Sequence, residues 1–155
     1  MHRGSPSPSV FIDFGEDTGD FFSPNNNYLL LVTSMVSMDL EKAVKSYQFG
    51  ERAKSELIIC SQLCHAITGF SDSERAGGRR MLLMLMESVR SELQFAARST
   101  GQSEFNKAIN ALNEAISLLE SNQPEQASEK IANAISASTT PAQEAWQVLA
   151  EHGIF

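Results

Sequence analysis

The bulk numbers place the chain among ordinary single soluble domains. It has 155 residues, of which 42% are apolar and 20% charged, and its formal net charge is −7. A chain of this length buries enough surface to hold a core without disulfides or metals, so two large domains are excluded and its two cysteines are not needed as cross-links. The acidic balance, with no basic run longer than Arg79-Arg80, argues against a nucleic-acid partner.

No stretch has the composition of a membrane span or of a secretory signal. The longest apolar candidate, Tyr28–Val32, is followed at once by Thr33 and Ser34, whereas a span needs about 18 or more apolar residues. The N-terminus lacks the basic start and the continuous apolar stretch of a secretory signal. We therefore expect no membrane contact, a cytoplasmic location and cysteines that stay thiols.

Residues 1–26 are predicted to form an irregular arm that combines acidic and aromatic residues. The segment is rich in Ser, Pro, Gly and Asp and has neither a helical nor a strand period. Disordered tails are usually poor in large apolar groups, but this one contains Phe11, Phe14, Phe21 and Phe22. We expect these phenylalanines to pack on the chain's own domain or on a neighbouring copy, or to serve as a short recognition segment.

The helical pattern begins at residue 27. Apolar residues at spacings of three and four predict one long helix from about Tyr28 to Ile67. Gly50 lies in its middle, where glycine costs about 1 kcal/mol relative to alanine, so a kink or a break there is an alternative. Ser71 and Glu74 have the spacing of a capping box and predict a second helix that runs to about Ser99.

The rest of the chain predicts two or three further helices. A third begins at Ser103, and Asn122 and Pro124 separate it from a fourth. Thr140-Pro141 repeats the start signal and predicts a short fifth helix. Because no stretch alternates apolar and polar residues with period two, we predict an all-α fold, an antiparallel bundle of four to five helices in residues 27–155 that follows the irregular arm.

The most suggestive cluster for chemistry is Cys60, Cys64 and His65. Thiolates and imidazoles are common ligands of zinc and copper. On a helix the two cysteines share a face, while His65 points about 100° away from Cys64. The cysteines also continue the apolar stripe of the first helix, which favours a core role. The sequence contains no recognisable catalytic or cofactor-binding motif, so we predict no cofactor.

Two features of the second helix predict a surface for a partner. Met81 and Met84 widen its apolar stripe beyond the width that one core face requires, and methionine suits adaptable binding surfaces. Arg79 and Arg90 are eleven residues apart and share a face, which could receive an acidic partner or simply be solvated.

These features together predict a protein–protein interaction module of the adaptor or secretion-chaperone kind that self-associates, most simply as a homodimer. The candidate partner-binding residues are Phe11, Phe14, Phe21, Phe22, Met81, Met84, Arg79 and Arg90. The alternative is a bundle that binds a small molecule or a metal through Cys60, Cys64 and His65.

Overall fold

Four helices account for most of the described chain. The structure, a computed structural model, describes the backbone of residues 27–155 and the side chains of residues 40–155. The helices are α1 (Asn27–Ile67), α2 (Asp72–Thr100), α3 (Ser103–Glu120) and α4 (Pro124–Glu151). Residues 27–155 contain no strand, which confirms the all-α prediction. No helix among the described residues is both long enough and apolar enough to cross a membrane.

The chain divides into two compact units, Met1–Val36 and Ser37–Phe155. In the first unit the described part is the helical backbone of residues 27–36. The predicted arm, residues 1–26, lies outside the described residues, and so do its four phenylalanines. All of the described side chains belong to the second unit, which holds the bundle and its core.

Short connections make consecutive helices antiparallel neighbours. The links are residues 68–71, 101–102 and 121–123, too short to let a helix cross to a distant position. Four polar contacts join the pairs α1–α2, α2–α3, α3–α4 and α1–α4: Arg52 with Glu92, Arg90 with Asn113, Glu114 with Lys130, and Ser61 with Ser128. Each helix of the bundle therefore lies between two others.

The helix ends follow the predicted local chemistry. The backbone N–H of Ser71 donates to the Glu74 carboxylate at 3.3 Å, and α2 begins at the next residue. Gly101 ends α2 with a left-handed φ of 66°, and Asn122 follows α3 with a φ of 58°. Pro124 occupies the first turn of α4, where its missing N–H costs no hydrogen bond.

The core is built from the predicted apolar stripes of all four helices. Its largest fully buried side chains are Phe105, Leu57, Met86, Leu93 and Leu112. A second, smaller cluster joins α1 to the end of α4. The spacing of three and four predicts an apolar stripe on α2 that is buried apart from Leu85, which is only half-buried and lines a surface groove; the buried members are Leu82, Met86, Val89, Leu93 and Ala96.

The first helix runs through Gly50 without a break. The structure therefore contains the single long helix and not two shorter ones. Gly50 is buried where α1 approaches α4 closely. A Cβ atom added there would lie 2.8 Å from Ala142 Cβ and 2.9 Å from the carbonyl oxygen of Ser138. The glycine is therefore required by the distance between the two backbones rather than by a turn.

The predicted fifth helix is not separate, because α4 continues through Pro141 to Glu151. A proline inside a helix removes one backbone hydrogen bond and costs about 3 kcal/mol in isolation. Pro141 and Ala142 are buried, and Ala142 is part of the contact with α1. We infer that burial of this face keeps the helix continuous, because a break at Pro141 would expose it.

Alanine substitutions at two glycines test this account of the α1–α4 contact. Gly50→Ala should lower the free energy of unfolding by about 1–3 kcal/mol because the new methyl group overpacks the contact. Gly77→Ala is the matched control, since that glycine lies inside α2 with no atom near the new methyl group. It should raise stability by about 0.5–1 kcal/mol through helix propensity. Urea unfolding measures both, and equal stabilisation by the two substitutions would contradict the close contact.

Candidate functional site

An apolar groove lies between the second half of α1 and the first half of α2. Its volume is about 320 Å³. The α1 wall consists of Leu63, Ala66 and Phe70, the last in the link to α2, and the α2 wall includes Met81 and Leu85. The floor is formed by Ile67 and Leu82, both of which are buried.

The sequence produces this groove because α1 carries a second apolar stripe beside its core stripe. Ile59, Leu63 and Ala66 follow one another at spacings of four and three, which places them along one line of α1, and Phe70 follows four residues later in the link to α2. Ile59, Leu63 and Phe70 are 48%, 41% and 41% exposed. A helix that is apolar over this width extends its apolar surface beyond the core.

The closed end of the groove is shaped by the turn between the two helices. The Arg75 guanidinium donates to the carbonyl oxygens of Thr68 and Phe70, at 3.0 and 3.2 Å. Gly78 leaves room for the Phe70 ring, because a Cβ atom there would lie 3.0 Å from ring atom Cε2. These contacts fix Phe70 across the link and make it part of the groove wall.

A charged network marks the other end of the same α1–α2 face. Arg52 donates to Glu56 at 3.1 Å and to Glu92 at 2.8 Å. Burial raises the pKa of Glu92, the neighbouring Glu56 carboxylate raises it further, and Arg52 lowers it. The apolar stretch of the α1–α2 face is thus limited by charged side chains.

The two methionines proposed from the sequence occupy different environments. Met81 lines the groove and is 74% exposed. Met84 is 72% exposed on the same helix but is not part of the groove lining. Met81 is therefore a candidate contact for a partner in the groove, whereas Met84 is exposed outside it.

The proposed arginine pair lies away from this groove. Arg90 donates to Asn113 of α3 at 3.1 Å, and Arg79 is half-buried at a position that shares the helical face of Arg90. Arg80 is exposed and points about 100° around α2 from Met81.

The Cys60, Cys64 and His65 side chains do not converge. Both thiols are fully buried in the core, and burial raises the pKa of Cys60 to about 12 and of Cys64 to about 11. His65 is exposed, and its Nε2 atom lies 3.1 Å from the Ser128 hydroxyl of α4. Among the described residues, no three His, Cys, Asp or Glu side chains form a group that could hold a metal ion.

A second concavity, which the sequence analysis missed, lies between α1 and α4. Its volume is about 380 Å³, and its lining includes Tyr47, Glu51 and Trp146. Trp146 follows Ala142 by four residues and precedes Leu149 by three, a spacing that predicts one apolar face, but its side chain is 49% exposed. The sequence does show an aromatic residue on each of the two helices, Tyr47 and Trp146. Helical periodicity alone does not show that these two residues lie beside each other in the fold.

Thiol labelling tests the placement of the two cysteines. At pH 8 the native protein should react with a thiol reagent about 100-fold more slowly than the urea-unfolded chain, because burial keeps both thiols protonated and covered. Ser55→Cys provides the control, since this position of α1 is exposed and should react rapidly. Rapid labelling of Cys60 or Cys64 in the folded protein would show that the core assignment is wrong.

Comparisons with known proteins give no match to a protein-family model, to a curated protein or to a solved structure. The functional proposal therefore rests on the geometry of the described residues.

Proposed function

We propose that the chain is a protein–protein interaction module that binds an amphipathic helix in the groove between α1 and α2. The observation that carries the proposal is the groove itself, which combines an apolar lining with high exposure of Met81, Leu63 and Phe70. Contiguous exposed apolar surface on a soluble domain is typical of interaction sites.

The shape of the groove favours a helix as the occupant. Two antiparallel helices present a seam on which the apolar face of a third helix packs, with anchors at i, i+3 or i+4 and i+7. The distance along α1 from Glu56 to its end at Ile67 is about 17 Å at the helical rise, and Phe70 extends the wall beyond it, which matches a helix of about 11–14 residues. The Arg52 network at one end and the Phe70 turn at the other set this length.

Substitution of the two exposed methionines tests the groove. The probe is an amphipathic helical peptide of about 14 residues with apolar anchors at i, i+3 or i+4 and i+7. Met81→Glu should weaken binding of this peptide about tenfold, because a charge replaces an apolar anchor. Met84→Glu adds the same charge at equal exposure outside the groove and should change the Kd less than about twofold. Calorimetric titration measures both.

Two results would contradict the proposal. Equal weakening by the two methionine substitutions would show that charge alone acts and that the groove is not the site. Absence of saturable binding of the peptide to the natural chain would show that the groove does not accept a helix. Circular dichroism of each variant provides the folding control.

Self-association stays a prediction that the same variants can address. If a second copy supplies the helix that occupies the groove, sedimentation velocity should give a dimer for the natural chain and for Met84→Glu, and a monomer for Met81→Glu. A dimer that persists in both variants would place the subunit contact on another surface.

A further inference from the structure

The pocket between α1 and α4 brings aromatic and polar side chains together at one surface position. Tyr47 and Glu51 lie one turn apart on α1, and Trp146 lies on α4. The close approach of the backbones at Gly50 and Ala142 forms the base of this arrangement. Because helices that approach this closely leave little room for side chains between them, the larger residues on either side extend outward and line a concavity.

Three aromatic rings meet beside this pocket. The Phe155 ring lies 5.2 Å from the Tyr47 ring in a tilted arrangement and 6.4 Å from the Trp146 ring in a stacked one, measured between centroids. Phe155 therefore supports both pocket-lining rings and limits their movement. Trp146 is 49% exposed, so part of its surface remains open to a ligand.

The charges at the pocket nearly cancel. Glu51 lines it, and the Lys54 ammonium lies 2.8 and 2.9 Å from the two Glu51 carboxylate oxygens. A strongly hydrated cation that depends on a free carboxylate would compete with Lys54 for Glu51. A cation whose charge is spread over alkyl groups is instead attracted to the negative faces of aromatic rings, and it loses less hydration free energy when it binds there.

We propose that the pocket lined by Tyr47, Trp146 and Glu51 binds an N-alkylated ammonium group, with the rings as the main contact and the carboxylate as a secondary one. Trimethylammonium groups are bound in this way by aromatic side chains in other proteins. The polar side chains of Gln143 and Gln147 complete the lining. This site lies on the α4 side of α1, and the proposal does not depend on the function proposed for the groove on the α2 side.

The single tryptophan of the chain makes the site directly observable. Trp146 is the only fluorophore of its kind, so its emission reports occupancy of the pocket in the full-length protein. Choline should change the emission saturably. The uncharged carbon analogue of choline, which carries a tert-butyl group in place of trimethylammonium, should bind at least about fivefold more weakly because it lacks the cation–π contribution.

Substitutions of opposite expected sign test the charge assignment. Glu51→Gln removes the carboxylate and leaves the Lys54 charge unopposed, so choline affinity should fall about fivefold. Lys54→Met removes the competing ammonium, so choline affinity should rise by a similar factor. Tyr47→Leu keeps the fluorophore and should weaken choline binding about tenfold. Neither Glu51→Gln nor Lys54→Met should change the affinity for the uncharged analogue. Thermal unfolding of each variant checks that it is folded.

Free trimethylammonium compounds and a trimethylated lysine side chain share the proposed chemistry. Titration with a short peptide that contains one trimethyllysine, alongside the same peptide with unmodified lysine, distinguishes these two sources. Tighter binding of the trimethylated peptide than of choline would identify a protein side chain as the ligand, and the reverse order would identify a small molecule. A tert-butyl analogue that binds as well as choline, or the absence of saturable binding by every cation, would overturn the proposal.

Discussion

The close approach of α1 and α4 at Gly50 is the constraint on which the arrangement of the bundle surface depends. A glycine on α1 opposite Ser138 and Ala142 lets the two backbones come together without a side chain between them. The contact buries the region of α4 around Pro141 and favours continuity of that helix through the proline. It also places the aromatic side chains of both helices at the rim of the contact rather than in the core.

The first helix serves three surfaces at once. One stripe, which includes Leu57, Cys60 and Cys64, belongs to the core. A second stripe, with Leu63, forms a wall of the groove with α2, and the opposite flank, with Tyr47, forms the pocket with α4. Because only one stripe of a helix is needed for the core, the other two are available for binding. Burial of the two thiols in the core stripe explains why, among the described residues, this cysteine pair does not join His65 in a group that could hold a metal ion.

Much of the fold was predictable, and the failures have a common cause. The capping pair Ser71 and Glu74, the left-handed residue Asn122 and the apolar periods identify the helices because these signals act within a few residues. Pro141 carries an equally good local start signal, yet the helix continues through it, because the contact with α1 outweighs the local preference. Of the predicted partner residues described, Met81 alone lines the groove, while Arg90 contacts α3.

The sequence by itself determined the fold class, most of the helix ends and the core stripes, since helix capping and helical periodicity depend on neighbours along the chain. Only the tertiary structure decided which exposed residues stand together. Leu63 and Met81 share a groove, and Tyr47 and Trp146 share a pocket, although each pair is far apart in sequence. Each site is formed by two helices, so its composition depends on how those helices are paired and on the distance between their backbones, which at Gly50 is set by the absence of a side chain.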